Sequence, residues 1–317
     1  MNSLPWIEKY RPSTFDSILS HDLIKNILLN ILNKNNITNM ILYGPSGIGK
    51  TTIIFNYLKL LYGDNYRSYI LELNGSDDRG INIVREKIQE YCNTTSIYNN
   101  QLKIVILDEA DSMTTDAQYA LKEIMESHNI TSKFCLICNS INKIIKPLQS
   151  ACLILRFNTI TKNYQKIFVT NICEKENITY NDNGLNLLIK YSHNDFRKLC
   201  NNLQTINLLY NNITKKNVLK CMNYPTDTEV KNIIDYIQTK NIKFVLDYIL
   251  KIKNTNDYFL STLINILFEK IILLELENYK LIEYIINTSI IEINICSFGN
   301  EELNIYSLIG CLYLLFN

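Results

Sequence analysis

Gly44-Pro45-Ser46-Gly47-Ile48-Gly49-Lys50-Thr51 is the stretch from which the rest of the chain can be read. It fits G-x-x-x-x-G-K-[ST], the pattern of a phosphate-binding loop. Triphosphate oxygens are met by several backbone N–H groups at once, so the chain has to wrap closely. Gly44, Gly47 and Gly49 permit that. Lys50 brings a cation to the β- and γ-phosphates, and the Thr51 hydroxyl suits Mg²⁺. The flanks agree. Met40-Ile-Leu-Tyr43 is a short apolar run of the kind a buried parallel strand uses. Ile53, Ile54, Tyr57, Leu58 and Leu61 recur behind the loop at helical spacing. Strand, glycine loop and helix together aim a helix N-terminus at an anion.

Moving outward, Lys103-Ile-Val-Ile-Leu-Asp-Glu-Ala-Asp111 is an apolar run that ends in adjacent carboxylates. Side chains alternate along a strand, so Asp108 and Glu109 point differently. Asp108 is the candidate Mg²⁺ ligand beside Thr51, and Glu109 the residue that orients and polarises an attacking water. Phe134-Cys-Leu-Ile-Cys-Asn139 reads as another buried strand, which places the Asn139 amide at the carboxyl edge beside Glu109. Ser68–Leu73 and Leu153–Phe157 complete five strand candidates. Helical patterns lie between them, so the expected core is an α/β unit on a parallel five-stranded sheet.

Composition narrows the function classes. The chain has 317 residues and a net charge of +1, so no global basic field marks it for nucleic acid. Nine cysteines are scattered, and no leader-like segment opens the chain, so reduced thiols inside the cell are expected. Cys135-Leu-Ile-Cys138 lacks the second ligand pair that zinc needs and reads as buried thiols. The longest apolar run, Phe259 to Leu274, is broken by Glu269 and Lys270, which argues against a membrane span. The heavy Asn, Ile, Lys and Tyr usage suggests an AT-rich genome.

Leu4 to Pro12, with two prolines and an aromatic pair, reads as an extended arm whose Tyr10 and Pro12 can cover a nucleotide base. Ser20 or Asp22 is expected to cap a helix carrying Leu23, Ile24, Ile27, Leu28 and Ile31. Arg79, Arg85 and Lys87 cluster at and just before a helix with Ile83, Val84, Ile88 and Tyr91 on one face. They are the local candidates for phosphate-backbone contact, against the alternative of a solvated helix face. From about residue 160 the pattern turns helical. Asp195 can cap the third of these helices, and Arg197 sits in its first turn, where a cation opposes the helix dipole and so points to an anionic ligand. Tyr224-Pro225 reads as a linker, and the segment beyond it, free of proline, as an all-helical domain.

Taken together, these stretches resemble the small subunits of replication factor C, the AAA+ clamp loader. Pro5-Trp-Ile-Glu-Lys-Tyr-Arg-Pro12 is similar to the family's adenine-covering arm. Leu73-Asn-Gly-Ser-Asp-Asp-Arg-Gly80, Leu107-Asp-Glu-Ala-Asp-Ser-Met-Thr114 and Phe134 through Ser150 are similar to family boxes, with Asn139 at the sensor-1 position. Asp195-Phe-Arg-Lys198 matches the sensor-2 motif, which implies Arg197 on the γ-phosphate. The resemblance implies a AAA+ nucleotide-binding domain over 1–159, a helical lid over 160–224 and a helical collar over 225–317. It implies ATP and Mg²⁺ as cofactors. The implied partners are the other subunits of a hetero-pentameric ring, a sliding clamp and primer–template DNA, with no membrane. The implied location is a nuclear or cytoplasmic replication site, or a host replication compartment if the genome is viral. ATP binding would close a spiral that holds the clamp open on DNA, and hydrolysis would release it.

One departure stands out. The family usually reads Ser-Arg-Cys where this chain has Ser150-Ala151-Cys152. Ala151 supplies no arginine finger to a neighbouring site, and Arg156 does not replace it, because the family already has a cation there. Two other readings share the nucleotide motifs: a AAA+ branch-migration motor, and a structural subunit that binds ATP without turning it over. The first lacks this N-terminal arm and the Asn-Gly-Ser-Asp-Asp-Arg-Gly box. The complete set Lys50, Asp108, Glu109, Asn139 and Arg197 argues against the second.

Overall fold

The structure, a computed structural model, describes residues 4–18, 20–76, 81–94, 102–239, 242–274, 276–297 and 299–316, with the backbone alone for 81–85. The chain divides into two compact units. The first comprises 1–178 and 185–204, the second 179–184 and 205–317.

In the first unit, strands β1 (Met40–Tyr43), β2 (Ile70–Asn74), β3 (Lys103–Asp108), β4 (Ser132–Cys138) and β5 (Leu153–Arg156) form one sheet in the order β2-β3-β4-β1-β5. Every pairing is parallel. The three central strands are apolar on both faces because both are covered, as a parallel sheet requires. Alternation sends Met40, Leu42, Ile104, Ile106, Cys135 and Ile137 into one core, together with Leu28, Ile53, Ile54 and Tyr57. It sends Ile41, Val105, Leu107, Leu136 and Cys138 into another, with Ile88, Leu121, Ile124 and Met125.

Helix α1 (Trp6–Lys9) opens the unit; α2 (Asp22–Asn33), α3 (Lys50–Tyr62), α4 (Ile81–Asn93), α5 (Thr115–Ser127) and α6 (Lys146–Ser150) send side chains into the two cores, and α7 (Lys162–Lys175) comes after the last strand. Helices α8 (Asp182–Tyr191) and α9 (Phe196–Tyr210) follow. The arm expected to be extended instead contains the single turn α1. Pro5 precedes that turn, where a missing N–H costs nothing, and its carbonyl accepts from the N–H groups of Glu8 and Lys9, both at 2.9 Å. Helix α2 is capped by neither Ser20 nor Asp22. Its N-cap is His21, in the left-handed region at φ 65°, and the ring turns away to Ile48. Leu23, expected on the buried stripe, lies outside the core, which takes Ile24 and Leu28.

The second unit is helical apart from a short parallel ladder of β6 (Thr179–Tyr180) and β7 (Asn212–Ile213), too brief to give a periodic signal. Its helices are α10 (Lys215–Cys221), α11 (Asp227–Gln238), α12 (Ile242–Asn256), α13 (Leu260–Ile271), α14 (Asn278–Cys296) and α15 (Glu301–Phe316). Ile305, Leu308, Ile309, Leu312 and Leu315 put one stripe of α15 into a core with Ile233, Ile249 and Leu267. A capping box starts α11: Thr226 accepts from the Glu229 N–H, and the Glu229 carboxylate accepts from the Thr226 N–H at 2.7 Å.

All nine cysteines are free. Cys135 and Cys138 are buried in β4, and burial pushes the Cys138 thiol up to about 12, so this pair packs as apolar side chains. Among the described residues no His, Cys, Asp and Glu cluster suits a metal, and no helix is long and apolar enough to cross a membrane.

Candidate nucleotide site

A cavity of about 700 Å³ opens at the carboxyl edge of the sheet. Its floor is set by strand order. The phosphate loop leaves the end of β1 and the carboxylates stand at the end of β3. Strand β4 runs between them and delivers Asn139. Ligands gather at this edge of open α/β sheets.

Loop geometry follows from its glycines. Gly49 is the N-cap of α3 at φ 93°, a conformation that side chains rarely adopt, and no side chain caps the helix. The first-turn N–H groups are therefore left to an incoming anion. Lys50 is 7 % exposed and its ammonium has three acceptors: the Gly44 carbonyl at 2.6 Å, the Pro45 carbonyl at 2.7 Å and Asn139 Oδ1 at 2.9 Å. Burial draws the Lys50 pKa below its ordinary value, and the nearby Asp108 charge opposes that shift. Thr51 Oγ1 donates to Asp108 Oδ2 at 3.0 Å, so the two residues expected to hold Mg²⁺ already touch. Hydroxyl and carboxylate oxygens are the donors this hard cation takes. The uncapped helix start, the buried cation and this oxygen pair fit a magnesium–triphosphate group.

Glu109 is exposed to the cavity and holds a left-handed backbone at φ 53°. Its backbone N–H donates to Asp108 Oδ1 at 2.8 Å, which orients the Asp108 carboxylate. Asp111 was not singled out in sequence. Its carboxylate accepts from the N–H groups of Asn139 and Ser140, each at 3.4 Å, and so braces the turn that presents the Asn139 amide.

The far wall is apolar. Tyr10, Pro12, Ile48, Tyr164, Phe168 and Phe196 line it, a surface suited to a flat base. Pro12 is anchored through its carbonyl, which accepts from Asn56 Nδ2 at 3.0 Å. Tyr10 is anchored through its hydroxyl, which donates to Glu176. Lys9 joins the same carboxylate, and these two hydrogen bonds pull the Glu176 pKa below the usual carboxylate range. Neither Glu176 nor His21, whose Nε2 meets the Ile48 carbonyl at 3.1 Å behind the loop, gives a sequence signal, because both contacts are long-range. Arg197 also lines the cavity.

The structure thus brings together Gly47, Ile48, Gly49, Lys50, Thr51, Ser46, Tyr10, Pro12, Asp108, Glu109, Asn139 and Arg197 around one cavity. Gly44 and Pro45 meet it through their carbonyls on Lys50. Of the basic cluster, Lys87 is not among the lining residues. Lys87 is exposed on α4, Arg79 and the Arg85 side chain lie outside the described residues, and Ala151 is exposed at the end of α6.

A glycine loop at a helix start, facing strand-end carboxylates across a parallel sheet, defines a P-loop ATPase of the AAA class. Residues 40–159 match the ATPase family associated with various cellular activities. Within that class, the chain belongs to the replication factor C family, among its small subunits. It is 35% identical over 316 residues to a probable replication factor C subunit 5 of Dictyostelium discoideum, covering 98% of this chain and 91% of the relative. It is 39% identical over 238 residues to replication factor C subunit 5 of Homo sapiens, covering 75% and 70%. The Thermotoga maritima RuvB Holliday junction branch migration motor is similar in structure, with a TM-score of 0.55 over 80% of this chain and 88% of RuvB. At 15% identity that likeness speaks to the fold alone.

Proposed function

We propose that this chain is an ATP-binding and ATP-hydrolysing subunit of a hetero-pentameric loader that opens a sliding clamp and places it on primer–template DNA. The convergence of Lys50, Thr51, Asp108, Glu109 and Asn139 on one cavity supports this reading most. Lys50 offers its charge to the terminal phosphates, and Arg197 meets the γ-phosphate from α9. Glu109 orients and polarises the attacking water, and Asn139 ties the lysine to the carboxylate edge. Thr51 and Asp108 would hold Mg²⁺, which would supply neutralisation of charge on the phosphate oxygens. Tyr10 and Pro12 cover the base. Arg79, Arg85 and Lys87 contact the DNA backbone, and a few such contacts per subunit suit a chain with a net charge of +1.

Residues 1–159, 160–224 and 225–317 act as nucleotide-binding, lid and collar domains. Exposed Tyr279, Ile282, Ile286 and Ile293 on α14 favour a collar that packs on other subunits. Ala151 leaves the adjoining subunit's site without a finger from this chain. In the assembled complex Arg156→Ala should therefore leave turnover at that site unchanged, and a collapse there would refute this point.

The function is tested by reconstituting the complex with Lys50→Ala in this subunit and measuring clamp retained on primed DNA. Loading should be lost, and loading at the wild-type level would sink the reading.

A further inference from the structure

The carboxylate of Asp195 faces two elements at once. Its Oδ1 accepts from the N–H groups of Arg197 at 2.8 Å and Lys198 at 3.2 Å, which caps α9. Its Oδ2 accepts from Ser46 Oγ at 3.3 Å, on the phosphate loop. Beside it, the Phe196 N–H donates to the Gly47 carbonyl at 3.0 Å. The approach is so close that a Cβ on Gly47, itself at φ 67°, would lie 1.9 Å from Asp195 Oδ1. The turn leading in is strained, since His193 and Asn194 are successive left-handed residues at φ 49° and 63°. It is held from beneath by buried Gln165, whose amide donates to Asn194 Oδ1 at 2.7 Å and to the Ile160 carbonyl at 2.8 Å. A helix cap alone needs one oxygen and no glycine opposite. Here the second oxygen and the missing side chain dock the start of α9 onto the loop.

We propose that Asp195 is a positioning residue that seats α9, and with it Arg197, on the phosphate loop, so that the site distinguishes a nucleoside triphosphate from a diphosphate. The inference rests on the reading that Arg197 meets the terminal phosphate. Arg197 is exposed and one residue into the helix, so its reach is set by where the helix start is held. A diphosphate does not extend to it, and its binding is therefore insensitive to that placement.

The test is equilibrium binding of ATP and of ADP to the full chain carrying Asp195→Ser, Asp195→Asn or Arg197→Ala, with thermal melting alongside. Serine keeps a cap for α9 but is too short to hold Ser46. The ATP-over-ADP affinity ratio should fall about tenfold for Asp195→Ser, the scale of one lost charge-assisted hydrogen bond. ADP affinity should stay within about twofold of wild type. Asp195→Asn, which keeps the volume and a neutral acceptor, should lie between. Arg197→Ala should lower the ratio at least as far, and the Asp195→Ser/Arg197→Ala double variant no further. A wild-type ratio for both Asp195 variants, with Arg197→Ala defective, would overturn the role of Asp195 alone. An unchanged ratio for Arg197→Ala would overturn the reading of Arg197, and the inference with it.

Discussion

The two units handle polar groups in opposite ways. In the first, the buried polar side chains include Lys50, Asn56, Lys103, Gln118 and Gln165, and each of these five has hydrogen-bond partners. In the second, among the described residues, only Thr288 and Asn304 are polar and buried. The second unit places its polar groups at helix starts instead. Glu229 there serves the capping box while also accepting from Asn256 at 3.0 Å and Tyr258 at 3.0 Å. A unit that does chemistry has to bring charges out of water and hold them against one another. The helical unit keeps all but Thr288 and Asn304 of its described polar side chains out of its core.

That contrast can be broken by experiment. Glu109→Gln should lower turnover by about 10²–10⁴-fold, the scale of a lost general base, while ATP affinity persists and hydrogen exchange in residues 225–317 stays unchanged. Single-turnover hydrolysis checks the first claim, and a wild-type rate would remove Glu109 from the chemistry. Leu308→Ala, at a fully buried position, should destabilise the helical unit by about 2–5 kcal/mol and leave nucleotide affinity alone. If ATP binding fell with it, the two units would not be separable in function. Glu229→Ala should cost about 1–2 kcal/mol at the start of α11, read as faster exchange of its first-turn amides. The smallest effect concerns pH. Burial lowers the His21 pKa below its ordinary value, outweighing the Ile48 carbonyl and Asp22. The unfolded chain then takes up the proton first, so this contribution is full above the ordinary histidine pKa and fades as pH falls below it. His21→Gln should flatten that part of the acid side of the melting curve, and an unaltered slope would show that another group sets it.

Much of this was legible because the relevant signals are local. The glycine loop, the strand ending in Asp108-Glu109 and the apolar run ending at Asn139 carry their geometry in consecutive letters, and each lands at the cavity. The helical stripe of the last unit was legible from its period for the same reason. What stayed hidden depends on which turns meet in space. Asp195 was readable as a cap from its place before Phe196, but its second oxygen finds Ser46 across 149 positions of sequence. Glu176 meets Tyr10 across 166. The single turn at Trp6–Lys9 was masked by prolines, whose bar to helix applies inside a helix and not at its threshold.

Strand order has one further consequence. Asn139 reaches Lys50 because β4 emerges between β1 and β3 and hands over, one residue past its end, to an amide at the cavity. Lengthening β4 by a single residue would reverse which way every later side chain of that strand faces. The amide would then leave the lysine while every letter from Gly44 to Thr51 stayed in place. A chain so altered would still carry the whole phosphate-loop motif and yet lose the hydrogen bond that joins Lys50 to the end of β4.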